Sequence, residues 1–423
     1  MSYFFDKKRV PTDWRIVRAD AASDYVRISI RAKDLDGKVF FHYSIPSIQE
    51  IGDGFLQNGS ELDSDKTLLV GGEILISKLN PEKGTVMLTK KQDYPIICST
   101  ELVPIMTKDI LRSKFAFYIY SSDAVREHLS SMAISATKSH KRVEPSEIYK
   151  MFLPLPDLKI QDKIVDFLDY ELQNINGLIN EKQKQLEILS EKHQSLITHA
   201  VTKGINPKAN LKNSGIDWLE EIPNNWTTIR LKYLGDIFYG LSQPPKYIPE
   251  GTALIRATNV YRGAIKHDGL VFIDETELET EKKIKLNVGD IIVVRSGAYT
   301  GDSAIVTEEW ENAIAGFDMI IRPNNNVIPK FLATILLSSY VLDNQLLPLR
   351  IRAAQPHLNS EEIGSVKVFL PSLDEQQKIL KFLSIEIDKI GMLADATKTS
   401  IDLLKERRSA LITAAVTGQL QIP

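Results

Sequence analysis

Between residues 158 and 205, apolar side chains fall on two interleaved seven-residue tracks: Leu168, Ile175, Leu189 and Leu196 on one, Leu172, Ile179, Leu186 and Ala200 on the other. That is the seam of a coiled coil. Most of the stretch returns without a gap 215 positions later, with Leu155-Pro156 on Leu370-Pro371, Gln161 on Gln376 and Phe167-Leu168 on Phe382-Leu383. The match closes with Leu196-Ile197-Thr198 on Leu411-Ile412-Thr413 and Ala200-Val201-Thr202 on Ala415-Val416-Thr417. The second copy keeps both tracks, Leu383, Ile390, Leu404, Leu411 and Ile387, Ala394, Ile401, Ala415, and no proline interrupts either copy. Pro156 and Pro371, each with an acidic residue soon after (Asp157, Asp374), supply start signals. Each copy predicts one helix of roughly 40 residues, about 60 Å long. Both copies break the seam at the same places, Lys182 and His193 against Thr397 and Arg408, where a polar residue fixes register at some cost in stability. The expectation is two helices that pair, with outer faces such as Lys182, Lys184, Glu187 and Glu191 available to dock partner subunits.

Ahead of the first helix, short β-rich runs alternate with turns. Residues 25–30, 38–43 and 72–77 predict strands, 80–84 a turn and 114–129 a helix with Phe115, Tyr118, Ile119, Val125 and Leu129 on its apolar side. A polar connector, 202–210, stops the first long helix. Residues 211–370 repeat the plan of 1–153 more loosely: Pro223 to Trp226 echoes Pro11 to Trp14, Gly289-Asp290-Ile291 echoes Gly72-Glu73-Ile74, and Lys330-Phe331 echoes Lys114-Phe115. The predicted class is α+β, in four segments: a globular domain at 1–153, a helical spacer at 154–204, a second globular domain at 205–370 and a second spacer at 371–423.

Composition narrows the function. Hydrophobic content of 43% and charged content of 25% are ordinary for a globular protein, no apolar run approaches a membrane span, and no signal-peptide pattern opens the sequence. The single cysteine, Cys98, excludes an internal disulfide framework and a cysteine-based zinc cluster. These features point to a cytoplasmic protein. The net charge is −3, distributed as +2 over 1–153, −2 over 154–203, −3 over 204–370 and 0 over 371–423. No segment is a basic block, so contact with nucleic acid would need local clusters or positive charge from other subunits.

Catalytic signatures are absent. Ser242-Gln243-Pro244-Pro245-Lys246-Tyr247 is the nearest approach to the loop that grips a target amino group in amino-methyltransferases. It has glutamine first and lysine where the aromatic belongs, and reads as a rigid turn. No phosphate-binding Gly-x-x-x-x-Gly-Lys-Ser/Thr occurs, Glu281-Lys282-Lys283 sits in a charged, solvated run, and the seven histidines lack metal-ligand spacing. The chain reads as a binder, not an enzyme.

Candidate contacts cluster in loop-like places. In the second domain they are Arg256, Asn259, Tyr261 and Arg262; Arg295, Ser296 and Tyr299; and Arg350, Arg352, Gln355 and His357. In the first they are Lys78, Lys83 and the run Lys138, Ser139, His140, Lys141, Arg142. Arginine can bond guanine edges bidentately, asparagine and glutamine can bond adenine, and glycine lets a phosphate approach.

Leu-Pro-x-Leu-x-x-Gln-x-Lys-Ile-x-x-Phe-Leu at each helix start, Leu-Ile-Thr-x-Ala-Val-Thr at each end, and the run from Gly215 to Trp226 resemble the DNA-specificity subunits of type I restriction-modification systems. The first domain keeps only Pro11 to Trp14 of that opening motif. The resemblance implies two target-recognition domains, each reading one half of a split, asymmetric DNA site. It implies antiparallel helices that set the spacer and hold two methyltransferase subunits, with motor-endonuclease subunits joining for cleavage. S-adenosylmethionine, ATP and magnesium would belong to those partners, and this chain would bind no cofactor itself. The rival expectations are a coiled-coil assembly scaffold with no DNA role and a modification enzyme whose site is too diffuse to see.

Overall fold

The computed structural model describes residues 3–26, 28–137, 140–216, 219–244, 246–279, 284–350 and 357–422. The chain forms two compact units: Met1–Gln183 with Lys398–Pro423, and Lys184–Thr397. Each unit therefore holds one globular domain, one end of the first long helix, Leu158–Thr202, and the opposite end of the second, Leu373–Val416.

The two globular domains share a plan. In each, a strand just after the tryptophan pairs antiparallel with the strand that precedes a long helix, Arg15–Arg18 with Phe152–Leu155 and Thr227–Arg230 with Lys367–Leu370; in the second domain a hairpin, Leu211–Ile216 with Leu219–Pro223, comes first. Each contains a four-stranded sheet of the same order, Ser23–Tyr25, Leu102–Thr107, Ile74–Ser77, Val86–Leu88 in the first and Gly235–Tyr239, Met319–Pro323, Ile291–Val293, Ser303–Ile305 in the second. Each also has a sheet with one parallel pair, Val39–Tyr43 with Ile96–Ser99 and Thr252–Ile255 with Ile314–Ala315. That sheet has five strands in the first unit and four in the second.

The echoed Gly-acid-Ile runs open equivalent strands. Gly72 and Gly289 have φ of 98° and 92°, and the acid that follows is buried in both. Glu73 accepts the amides of Val70 and Gly71 (2.7 and 2.9 Å), whereas Asp290 pairs with Arg322 (2.6 Å). Backbone amides and a guanidinium thus solve the same problem, an anion under the strand.

Two expectations change. The helix predicted over 114–129 is two helices, Ser113–Ser121 and Asp123–Met132, because Ser122 is extended (φ −72°, ψ 146°) and caps the second by accepting from the Val125 amide. The run 25–30 is likewise two short strands, Ser23–Tyr25 and Ser29–Ile30, in different sheets.

The long helices hold 45 and 44 residues. Asp157 accepts from the Ile160 amide (2.8 Å) and so caps the first; Ser372, not Asp374, caps the second. Every residue on the four heptad tracks is buried or half-buried, which is what a paired seam requires. The helices run antiparallel: in the first unit Ala415 and Val416 enter the core that holds Ile164 and Leu168, and further along Arg408 donates to Asn176 (3.0 Å). In the second unit Ala200 and Val201 pack into the core with Ile379 and Leu383.

Each Pro-x-x-Trp motif covers a helix end. Gly204, after the first helix, abuts Pro223 and Trp226; Gly418, after the second, abuts Pro11 and Trp14; both glycines have φ +74°. The tail of the second helix thus does for the first domain what the tail of the first helix does for the second. Among the described residues no helix is long and apolar enough to cross a membrane, and Cys98 is a buried free thiol, pushed up to about 12 by that burial.

Candidate nucleic-acid interface

In the second domain the strands Ile291–Val293 and Ser303–Ile305 are joined by a loop that turns on Gly297 and Gly301, both at φ +89°. The loop places Arg295 opposite the segment ahead of the second long helix. Ser296 and His357 form an antiparallel bridge, and the Arg295 carbonyl accepts from the Leu358 amide (2.8 Å). The sequence cluster at 295–299 is thereby brought to His357, the last residue of the cluster that precedes the second long helix.

The Arg295 guanidinium lies 4.6 Å from the Tyr239 ring centroid and 4.2 Å from that of Phe317. Its Nη2 is 2.9 Å from His357 Nε2. A guanidinium only donates, so His357 Nε2 accepts and the ring proton sits on Nδ1. Both aromatic rings are open to solvent, at 39% and 46% exposure. Contacts of this kind contribute roughly 0.5–1 kcal/mol each at exposed sites, enough to hold a long side chain in one place.

Beneath them, the Arg295 amide donates to Asp318 Oδ1 (3.2 Å). Asp318 is 1% exposed and its Oδ2 has no partner. Burial pushes its carboxyl up to about 6, although the Arg295 amide and charge pull the other way. Tyr239 accepts from the Ser360 amide (2.9 Å), and the bonds with Ser360 hold its hydroxyl below the ordinary phenol range.

The first domain repeats the frame with other side chains. Its hairpin turns on Asn80 (φ 48°) and Gly84 (φ 59°). Leu79 bridges Arg142, the Lys78 carbonyl accepts from the Val143 amide (2.9 Å), and Asn80 exchanges two bonds with the Lys141 backbone (2.8 and 3.0 Å). Arg142 donates to Glu101 Oε1 (3.0 Å). Lys83 lines an adjoining concavity of about 590 Å³ with His42, Gln57 and Lys66. His42 gives its Nδ1 proton to Gln57 (2.8 Å), and burial lowers both the His42 and Lys66 pKa values.

The remaining sequence candidates divide. Tyr261, Arg262 and Tyr299 gather with Lys266: the two tyrosines meet edge to face at 6.4 Å, and Lys266 Nζ lies 3.8 Å from the Tyr261 centroid. Arg262 (φ 43°) and Gly263 (φ 92°) make the two-residue turn, and both Asp302 oxygens accept from the Arg262 amide at 3.0 Å. Asn259 was expected to face a base, but it is fully buried. Its Oδ1 accepts from the Arg256 amide and its Nδ2 donates to the carbonyls of Lys266 and Asp268, so it shapes the loop. Arg256 donates to the exposed Gly269 carbonyl at 2.5 Å, which ties it to its own loop. Lys138, Ser139, Arg352, Gln355 and the run 281–283 lie outside the described residues, as do the side chains of His140 and Arg350.

Sequence reasoning missed Tyr239, Phe317, Asp318, Glu101, His42 and Gln57. Tyr239, His42 and Gln57 come from other strands and Glu101, Phe317 and Asp318 from turns between strands, and only Phe317, an aromatic in the Gly316-Phe317-Asp318 turn, carried a local hint. Among the described residues no group of histidine, cysteine and carboxylate side chains could hold a metal ion.

The sequence matches the type I restriction modification DNA specificity domain twice, over residues 35–188 and 223–401. It is 24% identical over 420 residues to the type I restriction enzyme MjaVIII specificity subunit of Methanocaldococcus jannaschii, covering 98% of this chain and 94% of that protein. The fold is like that of a chain from a structural study of complex assembly and conformational transition of the type I R-M system, with a TM-score of 0.75, 18% identity and coverage of 97% and 99%. It is also like the crystal structure of the HsdS subunit from Thermoanaerobacter tengcongensis, with a TM-score of 0.54, 18% identity and coverage of 97% and 98%. The duplicated domain match covers most of the sequence, with most of each globular domain and of each long helix: this chain belongs to the type I restriction-modification DNA specificity family.

Proposed function

We propose that this chain is the DNA-recognition subunit of a type I restriction-modification complex and that it reads a bipartite, asymmetric site, one half-site per globular domain. The observation that carries this reading is the duplicated bridge, Leu79 with Arg142 and Ser296 with His357, which gathers basic residues at equivalent places in two domains of different loop sequence. A pure assembly scaffold has no need of it. One frame with two different side-chain sets suits two different half-sites.

The outer faces of the long helices support docking of two copies of one partner. Exposed apolar residues recur at the 215-residue offset: Tyr170 with Ile385, Leu178 with Leu393, Ile188 with Leu403. The first unit carries Tyr170, Leu178 and Leu403, and the second carries Ile385, Leu393 and Ile188, so each presents the same three positions. A single exposed apolar residue is ordinary on a solvated helix, and it is the recurrence at the same offset in both copies that supports a docking face. The partners in this reading are two methyltransferase subunits, with motor-endonuclease subunits added for cleavage. They bring S-adenosylmethionine, ATP and magnesium, and the chain itself performs no chemistry.

The test is to express the chain with its methyltransferase partner and map methylated bases across a host genome by single-molecule sequencing. Methylation at one split, asymmetric motif is the expected result. Motif-independent methylation, or a complex that fails to retard DNA in a gel, would overturn the assignment.

A further inference from the structure

In each unit the bridge between hairpin loop and helix-proximal segment presents one arginine, and the two arginines enter from opposite sides of it. In the second unit the hairpin supplies it, Arg295, with His357 across the bridge. In the first unit the position across the bridge supplies it, Arg142, while the hairpin carries Lys78. The backbone frame is the same: the Lys78 carbonyl accepts from Val143 at 2.9 Å and the Arg295 carbonyl from Leu358 at 2.8 Å. The arginine stands on opposite sides of the same bridge in the two units.

Both guanidinium groups are held without being used up. Arg295 is braced by the Tyr239 and Phe317 rings and gives one N–H to His357. Arg142, with 53% of its side chain exposed, gives one N–H to Glu101. A guanidinium has five N–H donors, so each keeps donors to spare. Neutralising a phosphate needs only a positive charge, which a mobile lysine also supplies. A fixed planar fork matches the O6 and N7 acceptors on the major-groove edge of guanine.

We propose that this bridge is the base-reading position of both domains, and that Arg295 and Arg142 each fork onto one guanine, in different half-sites. The proposal rests on the DNA-recognition role above.

The experiment uses the full chain in complex with its methyltransferase partner, on duplexes carrying the motif found by methylation mapping. Each guanine is replaced in turn by 7-deazaguanine, which lacks the N7 acceptor, and binding is measured for wild type, Arg295→Met and Arg142→Met, because a lysine would still donate to N7. For the wild type, one guanine in each half-site should show a loss of about 10-fold or more. Arg295→Met should be insensitive to one of those two replacements and Arg142→Met to the other, with specific binding falling further than non-specific duplex binding in both. Full sensitivity of the methionine variants at every guanine overturns the proposal, as does a loss shared equally with non-specific DNA, which assigns the arginines to phosphates. Wild-type complex with no sequence preference at all instead removes the DNA-recognition reading itself.

Discussion

Gln161 and Gln376 make the same bonds in the two units. Each is fully buried at the start of its long helix; its amide nitrogen donates to the proline carbonyl before the helix (Pro156, Pro371; both 3.0 Å) and its carbonyl accepts from the backbone amide just ahead of a shorter helix (Arg112, Ile328; both 2.8 Å). Gln161 also donates to the Ile110 carbonyl (3.0 Å). One side chain thus ties each rod to its globular domain. Replacing either glutamine with leucine keeps the volume and strands two or three buried backbone groups. Each variant should lose about 2–4 kcal/mol, measured by thermal unfolding; a loss below the error of the melt would count against the tie.

Asp318 makes stability depend on pH in the direction opposite to most carboxylates. Its folded pKa is raised to about 6, above the unfolded value near 3.8, so the folded state holds the proton more tightly. Stability from this group is therefore full below the unfolded value, declines as pH rises through about 6 and stays lower above it. Asp318→Asn keeps an oxygen for the Arg295 amide and removes the ionisation. At pH 7 the variant should be more stable than wild type by up to about 3 kcal/mol, and at pH 4 the two should melt alike. A constant difference across that range would show that Asp318 does not titrate there.

Gly418 and Gly204 share a left-handed backbone, but their surroundings differ. A Cβ on Gly418 would land in the Pro11 ring, whereas one on Gly204 would lie 3.2 Å from Trp226 Cζ2. Alanine at either position carries the backbone penalty of about 1–3 kcal/mol, and Gly418→Ala should cost more. Limited proteolysis should then open the first domain before the second; equal protection in the two variants would contradict this.

The helix faces give a stoichiometric prediction. Leu178→Asp and Leu393→Asp each place a charge on one of the two exposed apolar sets. In native mass spectrometry each single variant should shift the complex from two methyltransferase subunits to one, and the double variant should retain none. Two subunits retained on either single variant would remove that face from the docking surface.

Much of this was legible in the sequence because it is periodic or local. The heptad tracks, the duplicate starts with their glutamine and the Gly-acid-Ile strand openings could be read directly, and all fold at corresponding places. The site was legible only in part. Arg295 and Arg142 stood out as basic residues in loops, but their holders come from elsewhere along the chain: Tyr239 from a strand, Phe317 and Glu101 from turns at strand ends. Asn259 misled for a physical reason. An asparagine in a basic loop has the donors and acceptors of a base reader, and the same groups serve equally well to satisfy the loop's own backbone.

The exchange of helix ends has a consequence for the order of events at the ribosome. Among the described residues the core of the second unit is drawn from 184–397, whereas the first unit lacks Ala415 and Val416 until after the whole of that unit has been made. At ordinary elongation rates the N-terminal domain waits roughly 10–50 s for those residues. During that wait the first helix lacks the neighbour that the second supplies, such as Arg408 at Asn176. The part made first is completed last.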